Sequence, residues 1–379
     1  YAFPRFTQNR LFLCGNTSKR KNSVIYSSID SSQVFNGEDS GTIEFGDETP
    51  LTCGTTIFAQ FGANLYNLSL LFKDAEVWSL TYVNNEWVRY KIAETVGCPA
   101  PQTLSTIMVP PNETIQLNQN RFMAIWQGSN GIYLSDGRTP ILISKDIQDR
   151  FDRTSSTTIN PAYLRKSFGF VDENAQEYHW LYCNGTPTSA TSPLNKEMVF
   201  SLREWKWYEV DRTTGKYLQC GLTVHDTYGN ALAYGFIDTG YMEALEWFNT
   251  TAGTIKTLDG TDITCTIETG DITLEEGGFS RETRVIGTML ISLAKTTTTN
   301  NATLTHYTDT STTNTTSTFD PTSANHRVSF PLKKELSVPA IFHSFKLVMV
   351  ANNETIAFEP LALNIIYNEV RDHDYDRNW

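Results

Sequence analysis

No run of eighteen apolar residues occurs anywhere in these 379 residues, so the sequence offers no helical membrane span. Basic charge is scarce as well: 30 Lys and Arg stand against 42 Asp and Glu, a formal net charge of −12. A surface that grips nucleic acid needs clustered Lys and Arg. The one compact basic run, Lys19-Arg20-Lys21, lies between two strand-like stretches and reads as a solvated loop. Sequence-specific nucleic-acid binding is therefore not expected. The six cysteines, at 14, 53, 98, 183, 220 and 265, never fall into the close pairs of a metal knuckle or redox motif. Several sit in apolar strand-like runs, where a free thiol behaves as a small hydrophobe. The opening residues are not expected to be a leader with a basic start and apolar middle. The chain opens at Tyr1 without an initiator Met, as a fragment or processed product would.

Motifs for cofactor and metal chemistry are missing too. The six histidines (179, 225, 306, 326, 343 and 373) show no zinc spacing, and no HExxH occurs. Glu276-Gly277-Gly278-Phe279 reads as a turn rather than a phosphate loop. Asp372-His373-Asp374-Tyr375-Asp376 begins as a calcium loop does but lacks the Gly and the distant Glu that complete one. No cofactor, metal or catalytic residue is expected on these grounds. Eight sequons, from Asn16 to Asn353, are too few above chance in a chain this rich in Asn, Ser and Thr to indicate secretion.

What is present is strand. Apolar residues make up 40% of the chain and aromatics 12%, a globular composition whose aromatic share favours sheets. One unit recurs: an apolar strand, a polar turn, then a second strand carrying an aromatic. Its clearest copy runs from Arg121-Phe122-Met123-Ala124-Ile125-Trp126 to Gly131-Ile132-Tyr133-Leu134-Ser135. The anchor aromatics Tyr26, Trp78, Tyr133, Trp180 and Tyr234 are 52, 55, 47 and 54 residues apart. Four-stranded propeller blades repeat at about that period. Each unit alternates large apolar and polar residues and cannot bury both of its faces alone, whereas radial stacking buries them. The fold expected is all-β: a β-propeller over residues 1–253, with about five blades visible, then a smaller β-sandwich over 254–379. A helix is expected only at Ile143 to Phe151, capped by Ser144, and Tyr241 to Phe248 reads equally as helix or strand.

In the second domain strands are expected at Asp262 to Glu268, Arg284 to Ala294, His326 to Leu332, Ile341 to Val350 and Leu361 to Tyr367. Between them Thr296 to Thr318 is nearly all Thr, Asn and Ser, too poor in apolar residues to form a core. A long exposed hairpin tip or disordered loop is expected there, outside either core. Thr and Asn suit β-pairing with a neighbour's sheet edge, so Thr296, Asn300, Leu304, Tyr307 and Thr315 are the expected protein-interface residues.

Propellers also carry glycosidase sites, so paired carboxylates are worth testing. Asp30, Asp74, Asp136, Asp172 and Asp238 stand at turns of successive blades, where turn chemistry accounts for them. Ser135-Asp136-Gly137 lacks the Asp-box of sialidase blades. Trp205-Lys206-Trp207-Tyr208 is a sugar-stacking candidate but alternates as packing strands do.

Three segments together resemble the propeller-containing tail proteins of podovirus-like bacteriophages, the tail tubular or nozzle and head–tail hub or stabilisation proteins. They are Pro4-Arg5-Phe6-Thr7-Gln8-Asn9-Arg10-Leu11-Phe12 with Val24-Ile25-Tyr26-Ser27, Phe61-Gly62-Ala63-Asn64-Leu65-Tyr66 through Val77-Trp78-Ser79-Leu80, and Asn130 to Gly137 with Pro140 to Ser144. Phe342 to Leu347 with Phe358 to Leu361 is similar to the closing strands of that family's appended β-domain. The resemblance implies a non-enzymatic structural component of a phage tail, in the tube or nozzle or at the head–tail connection. Its expected partners are other tail or portal-proximal proteins in a homo-oligomeric ring around the DNA channel, and its expected location is the virion, assembled in the bacterial cytoplasm. The alternatives are a carbohydrate-binding or glycoside-cleaving propeller of an adsorption apparatus, and a secreted adhesion module.

Overall fold

The computed structural model describes residues 1–61, 64–152, 154–187, 189–212, 215–245, 257–258, 261–274, 282–294, 302–309, 311–319, 327–330, 338–351 and 358–369. The chain is all-β and divides into two units, Tyr1–Glu246 and Trp247–Trp379.

The first unit is a propeller of five consecutive antiparallel meanders. Blade 1 is β1 (Phe3–Thr7), β2 (Arg10–Cys14), β3 (Ser23–Tyr26) and β4 (Gly41–Glu44); blade 2 is β5 (Cys53–Phe61), β6 (Asn64–Phe72), β7 (Val77–Val83) and β8 (Glu86–Ala93). Blade 3 is β9 (Ser105–Val109), β10 (Arg121–Gln127), β11 (Ile132–Ser135) and β12 (Ile141–Leu142); blade 4 is β13 (Phe168–Asp172), β14 (Glu177–Tyr182), β15 (Lys196–Ser201) and β16 (Lys206–Val210). Blade 5 has three described strands, β17 (Leu218–His225), β18 (Ala231–Ile237) and β19 (Met242–Ala244). Local chemistry sets the turns. Gln8-Asn9 and Asn84-Asn85 hold positive φ at both positions, the left-handed pair that a two-residue hairpin needs.

Side chains alternate across each strand, so every blade has two faces. The first strands pack in order, β1 on β5, β5 on β9, β9 on β13 and β13 on β17. Between each pair of neighbours lies one apolar layer. Phe12 and Val24 of blade 1 meet Leu71 and Leu80 of blade 2. Leu70 and Phe72 of blade 2 meet Trp126 and Tyr133 of blade 3. Ile107, Ile125 and Leu134 of blade 3 meet Trp180 and Phe200 of blade 4. Phe170 and Leu181 of blade 4 meet Leu218 and Ile237 of blade 5. Trp126 and Trp180 are fully buried, and each indole N–H finds an acceptor, Gly97 O at 3.1 Å and Gln127 Oε1 at 2.8 Å. Gly221 lets blade 5 approach blade 4, because a Cβ there would lie 2.4 Å from the Phe170 ring.

The expected helix at Ile143 to Phe151 is a 3-10 element, Lys145–Arg150, whose Ile147 leaves helical geometry at φ −120°. Ser144 does not cap it through its side chain, because its hydroxyl accepts the Ile132 N–H at 2.9 Å and closes the blade instead. The ambiguous stretch after Tyr241 contains strand β19. The anchor aromatics are not equivalent by position: Tyr26, Trp78 and Tyr133 sit on third strands, Trp180 and Tyr234 on second strands.

The second unit is a two-sheet sandwich. One sheet runs β20-β21-β26-β23-β24 and the other β25-β22-β27, where β20 is Thr257–Leu258, β21 Thr261–Glu268, β22 Thr283–Ala294, β23 Ala302–Thr308, β24 Ser311–Phe319, β25 Arg327–Phe330, β26 His343–Ala351 and β27 Phe358–Glu369. Val285 of β22 meets Leu304, Phe345 and Leu347 of the larger sheet, with Leu363 and Ile365 of β27 packed alongside. The expectation for the Thr-rich stretch needs correction. Its described part is a hairpin, β23 and β24, and β23 also pairs with β26 along its whole length. Leu304 is 2% exposed and belongs to the core. Strand propensity of Thr, together with pairing on both sides of β23, supplies what apolar content did not.

Candidate functional site

Of the residues expected at an interface, Thr296 and Asn300 lie outside the described residues. Leu304 is core, Tyr307 is half-buried on β23 opposite Ser344, and Thr315 sits on β24 opposite His306. Burial of Leu304 removes it from any docking surface.

The turn aspartates are held in different ways, and the Asp238 Oδ1 is buried without a hydrogen-bond partner. Asp74 pairs with Arg165 at 2.7 Å and Asp136 pairs with Arg121. Asp172 accepts the Asn174 and Ala175 N–H groups at 3.0 Å each, and Asp30 takes a left-handed φ of 53° in its turn. The Asp238 N–H closes onto Tyr217 O at 2.9 Å. Trp205 and Trp207 pack on Phe200, and the Trp207 indole donates to Ile143 O at 2.8 Å, so these two indoles are packed in the blade while Tyr208 is exposed. Among the described residues no group of three or more His, Cys, Asp or Glu side chains could hold a metal ion.

The most polar buried cluster is in blade 4. His179 and Leu181 point to one face of β14 while Tyr178, Trp180 and Tyr182 point to the other. Leu181 is opposite Glu197 in the register, so His179 and Glu197 are diagonal neighbours on one face. His179 Nδ1 donates to Glu197 Oε1 at 2.8 Å, and Arg212 Nε donates to Glu197 Oε2 at 2.5 Å. The imidazole stacks on Phe170, 4.6 Å between ring centres. Burial pushes the Glu197 carboxyl up, but the His179 hydrogen bond and the Arg212 charge outweigh it and hold the group below its ordinary value. Glu177, whose Oε2 stands 4.0 Å from His179 Nε2, is raised by burial and by the Asp172 charge against the pull of His179. An oriented imidazole beside a carboxylate is half of a hydrolytic triad. Here the ring is fully buried, so the arrangement acts as an electrostatic clip between β14, β15 and the end of β16.

A second clip joins blades 1 and 2. The buried Lys73 ammonium donates to Asp47 Oδ1 at 2.6 Å and Asp47 O at 3.0 Å, and lies 3.3 Å from Glu76. Glu76 in turn accepts from Trp78 Nε1 at 2.9 Å and pairs with Lys91 at 2.9 Å. The Lys73 hydrogen bond, with those of Thr49, holds the Asp47 carboxyl far below the usual range. The sequence shows no spacing signal for either clip, since each depends on a partner brought in by the fold, Asp47 for Lys73, and His179 and Arg212 for Glu197.

Two sheet faces are unlike the rest. On blade 5, Leu222 opposes Tyr234, Val224 opposes Leu232, and Phe236 opposes Met242, all on the face turned away from blade 4. Leu222 is 41% exposed, Val224 43% and Met242 57%. On blade 1, Phe6 opposes Leu11, and Leu13 opposes both Pro4 and Ile25, on the face turned away from blade 2. Phe6 is 65% exposed. None of these side chains belongs to the four inter-blade layers. Contiguous exposed apolar surface of this kind marks interaction sites.

No family model matches the chain, and no curated protein matches it in sequence. Among solved structures the Bombyx mori GH32 beta-fructofuranosidase BmSUC1 is similar at 12% identity, across 93% of this chain and 78% of that one, with a TM-score of 0.22. A superposition that loose carries neither a fold nor an activity from one protein to the other.

Proposed function

We propose that this chain is a non-enzymatic structural component of a bacteriophage tail, in the tube or nozzle or at the head–tail connection. It works by assembly, with other tail proteins and further copies of itself, around the DNA channel. The assembly part of this reading is supported by the apolar outer faces of blades 1 and 5, centred on Phe6 and Leu222, which a free-standing protein would leave in water. The phage part is supported by the Arg10-Leu11-Phe12, Phe61-Gly62-Ala63-Asn64 and Asn130 to Gly137 segments. A net charge of −12 suits a wall past which phosphate must slide without sticking.

The test is location. Gold-labelled antibody against the purified chain should decorate the tail or the head–tail junction of intact particles, and mass spectrometry of those particles should recover its peptides. Absence from particles, or turnover of a surface polysaccharide that Glu177→Gln or Asp172→Asn abolishes, would overturn the reading.

A further inference from the structure

We infer that the outer face of blade 5 docks the outer face of blade 1 of a second copy of this chain, head to tail. The argument rests on the polarity of the blade stack. At each of the four internal interfaces, the trailing face of one blade packs on the leading face of the next: Phe12 and Val24 on Leu71 and Leu80, then onward to Phe170 and Leu181 on Leu218 and Ile237. Stacked this way, the five blades leave one trailing face and one leading face that no other blade covers among the described residues. The free trailing face carries Leu222, Val224, Leu232, Tyr234, Phe236 and Met242, in the same strand alternation as the buried layers. The free leading face carries Phe6, Leu11, Leu13 and Ile25.

Both faces are open in the same chain at once, with Phe6 65% and Met242 57% exposed, so one copy does not close on itself. What the trailing face takes is an apolar leading face of a blade, and blade 1 is such a face. A second copy placed there repeats, across the molecular boundary, the contact already made four times within one chain. Because the two surfaces differ, the contact is heterologous, which generates a ring when the rotation closes and a filament when it does not. This inference rests on the assembly reading above and specifies its partner and surface.

Sedimentation equilibrium of the purified chain at tens of micromolar tests it, with Phe6→Asp and Leu222→Asp as variants. Both positions are exposed, so each variant should keep the wild-type circular dichroism spectrum; Val224→Lys serves in place of Leu222→Asp should that one fail to fold. Wild type should sediment as an oligomer, and each variant alone as a monomer. An equimolar mixture of Phe6→Asp and Leu222→Asp should form a one-to-one dimer, because it retains one intact pair of faces. A monomeric wild type overturns the inference, whether the cause is closure within one chain or a different protein in the slot. So does undiminished assembly of Phe6→Asp, which means that blade 5 pairs with itself, and so does a mixture that stays monomeric. Particles that contain a chain monomeric in isolation would sink this inference and leave the tail assignment standing. An oligomer absent from particles would do the reverse.

Discussion

The two units differ in the ionisable groups they bury. In the propeller, besides many buried Ser and Thr hydroxyls, buried charges stand in ion pairs, as Glu197 does with Arg212 and Lys73 with Asp47 and Glu76. In the sandwich the buried imidazoles are neutral and run in a chain: His306 Nε2 to His343 Nδ1 at 2.9 Å, then His343 Nε2 to Thr283 Oγ1 at 2.9 Å and Ala340 O at 3.2 Å. The propeller also spreads its apolar burial over four layers, whereas the described sandwich core centres on Val285, Leu304, Phe345 and Leu347. A unit with several layers loses one layer at a time. A unit with one core loses its cohesion with it. Ion pairs withstand a moderate fall in pH that a neutral imidazole pair does not.

The largest expected effect is in the propeller. Trp180 stacks on Tyr182 at 4.2 Å and on Phe151 at 5.3 Å, and donates to Gln127. Trp180→Ala should cost about 4 kcal/mol, as truncation of a fully buried aromatic does. Hydrogen exchange followed by mass spectrometry reports the units separately, and should show faster exchange across blades 3 and 4 with β22, β23 and β26 unchanged. Loss of protection in both units together would break the distinction between them.

Glu197→Gln comes next. It leaves the Arg212 guanidinium buried without a counter-charge, and removal of one partner of such a pair costs about 3 kcal/mol. Urea denaturation should register a lower midpoint at an unchanged slope. A double change, Glu197→Gln with Arg212→Met, should recover most of the loss. No recovery would mean that the clip is not the electrostatic unit described.

Leu304→Ala sharpens the comparison from the other side, with an expected cost of about 2.5 kcal/mol confined to the sandwich. This residue also shows where sequence reading stops. The blades were legible because short apolar runs mark β2, β10 and β18 and because polar pairs such as Gln8-Asn9 and Asn84-Asn85 punctuate them. The strands β22, β26 and β27 were legible for the same reason. β23 and β24 were not: ATLTHYT and STTNTTSTF are mostly polar, and their strand character comes from pairing, β23 with both β26 and β24, and β24 with β23. The clips and the imidazole pair were invisible because each needs a partner that only the topology brings near, as His343 is brought to His306 and Asp47 to Lys73. The outer faces were half legible. Alternation on blade 5 is plain in Leu222-Thr223-Val224, but that no other blade packs on that side depends on the order of the blades.

The smallest expected effect separates the units by pH. His343 Nε2 faces the Ala340 carbonyl, which only a donor satisfies, so Nε2 carries the proton and Nδ1 accepts from His306 Nε2–H. A further proton on His343 would go to Nδ1 and set two donors against each other. Burial and the His343 charge accordingly push His306 down to about 4, and burial lowers His343 against the opposing hydrogen bond to Ala340 and the charge of Asp309. A folded-state value below the unfolded one, about 6.5 for histidine, means that the unfolded chain binds protons first. The sandwich should therefore hold its full stability above about pH 6.5 and lose about 2 kcal/mol as pH falls toward 4. In the propeller the Asp47 and Glu197 carboxyls are held low, and their contribution persists until pH falls below the ordinary carboxylate range, about 4, while Glu177, held high, only gains as pH falls. Between pH 6.5 and 4.5 exchange should quicken in β22, β23 and β26, after correction for the intrinsic pH dependence of exchange, while β10, β14 and β15 keep their protection. His306→Phe, which stacks on Phe345 as the imidazole does, should flatten that response. Equal softening of both units across this window would show that the imidazole pair does not set the acid response.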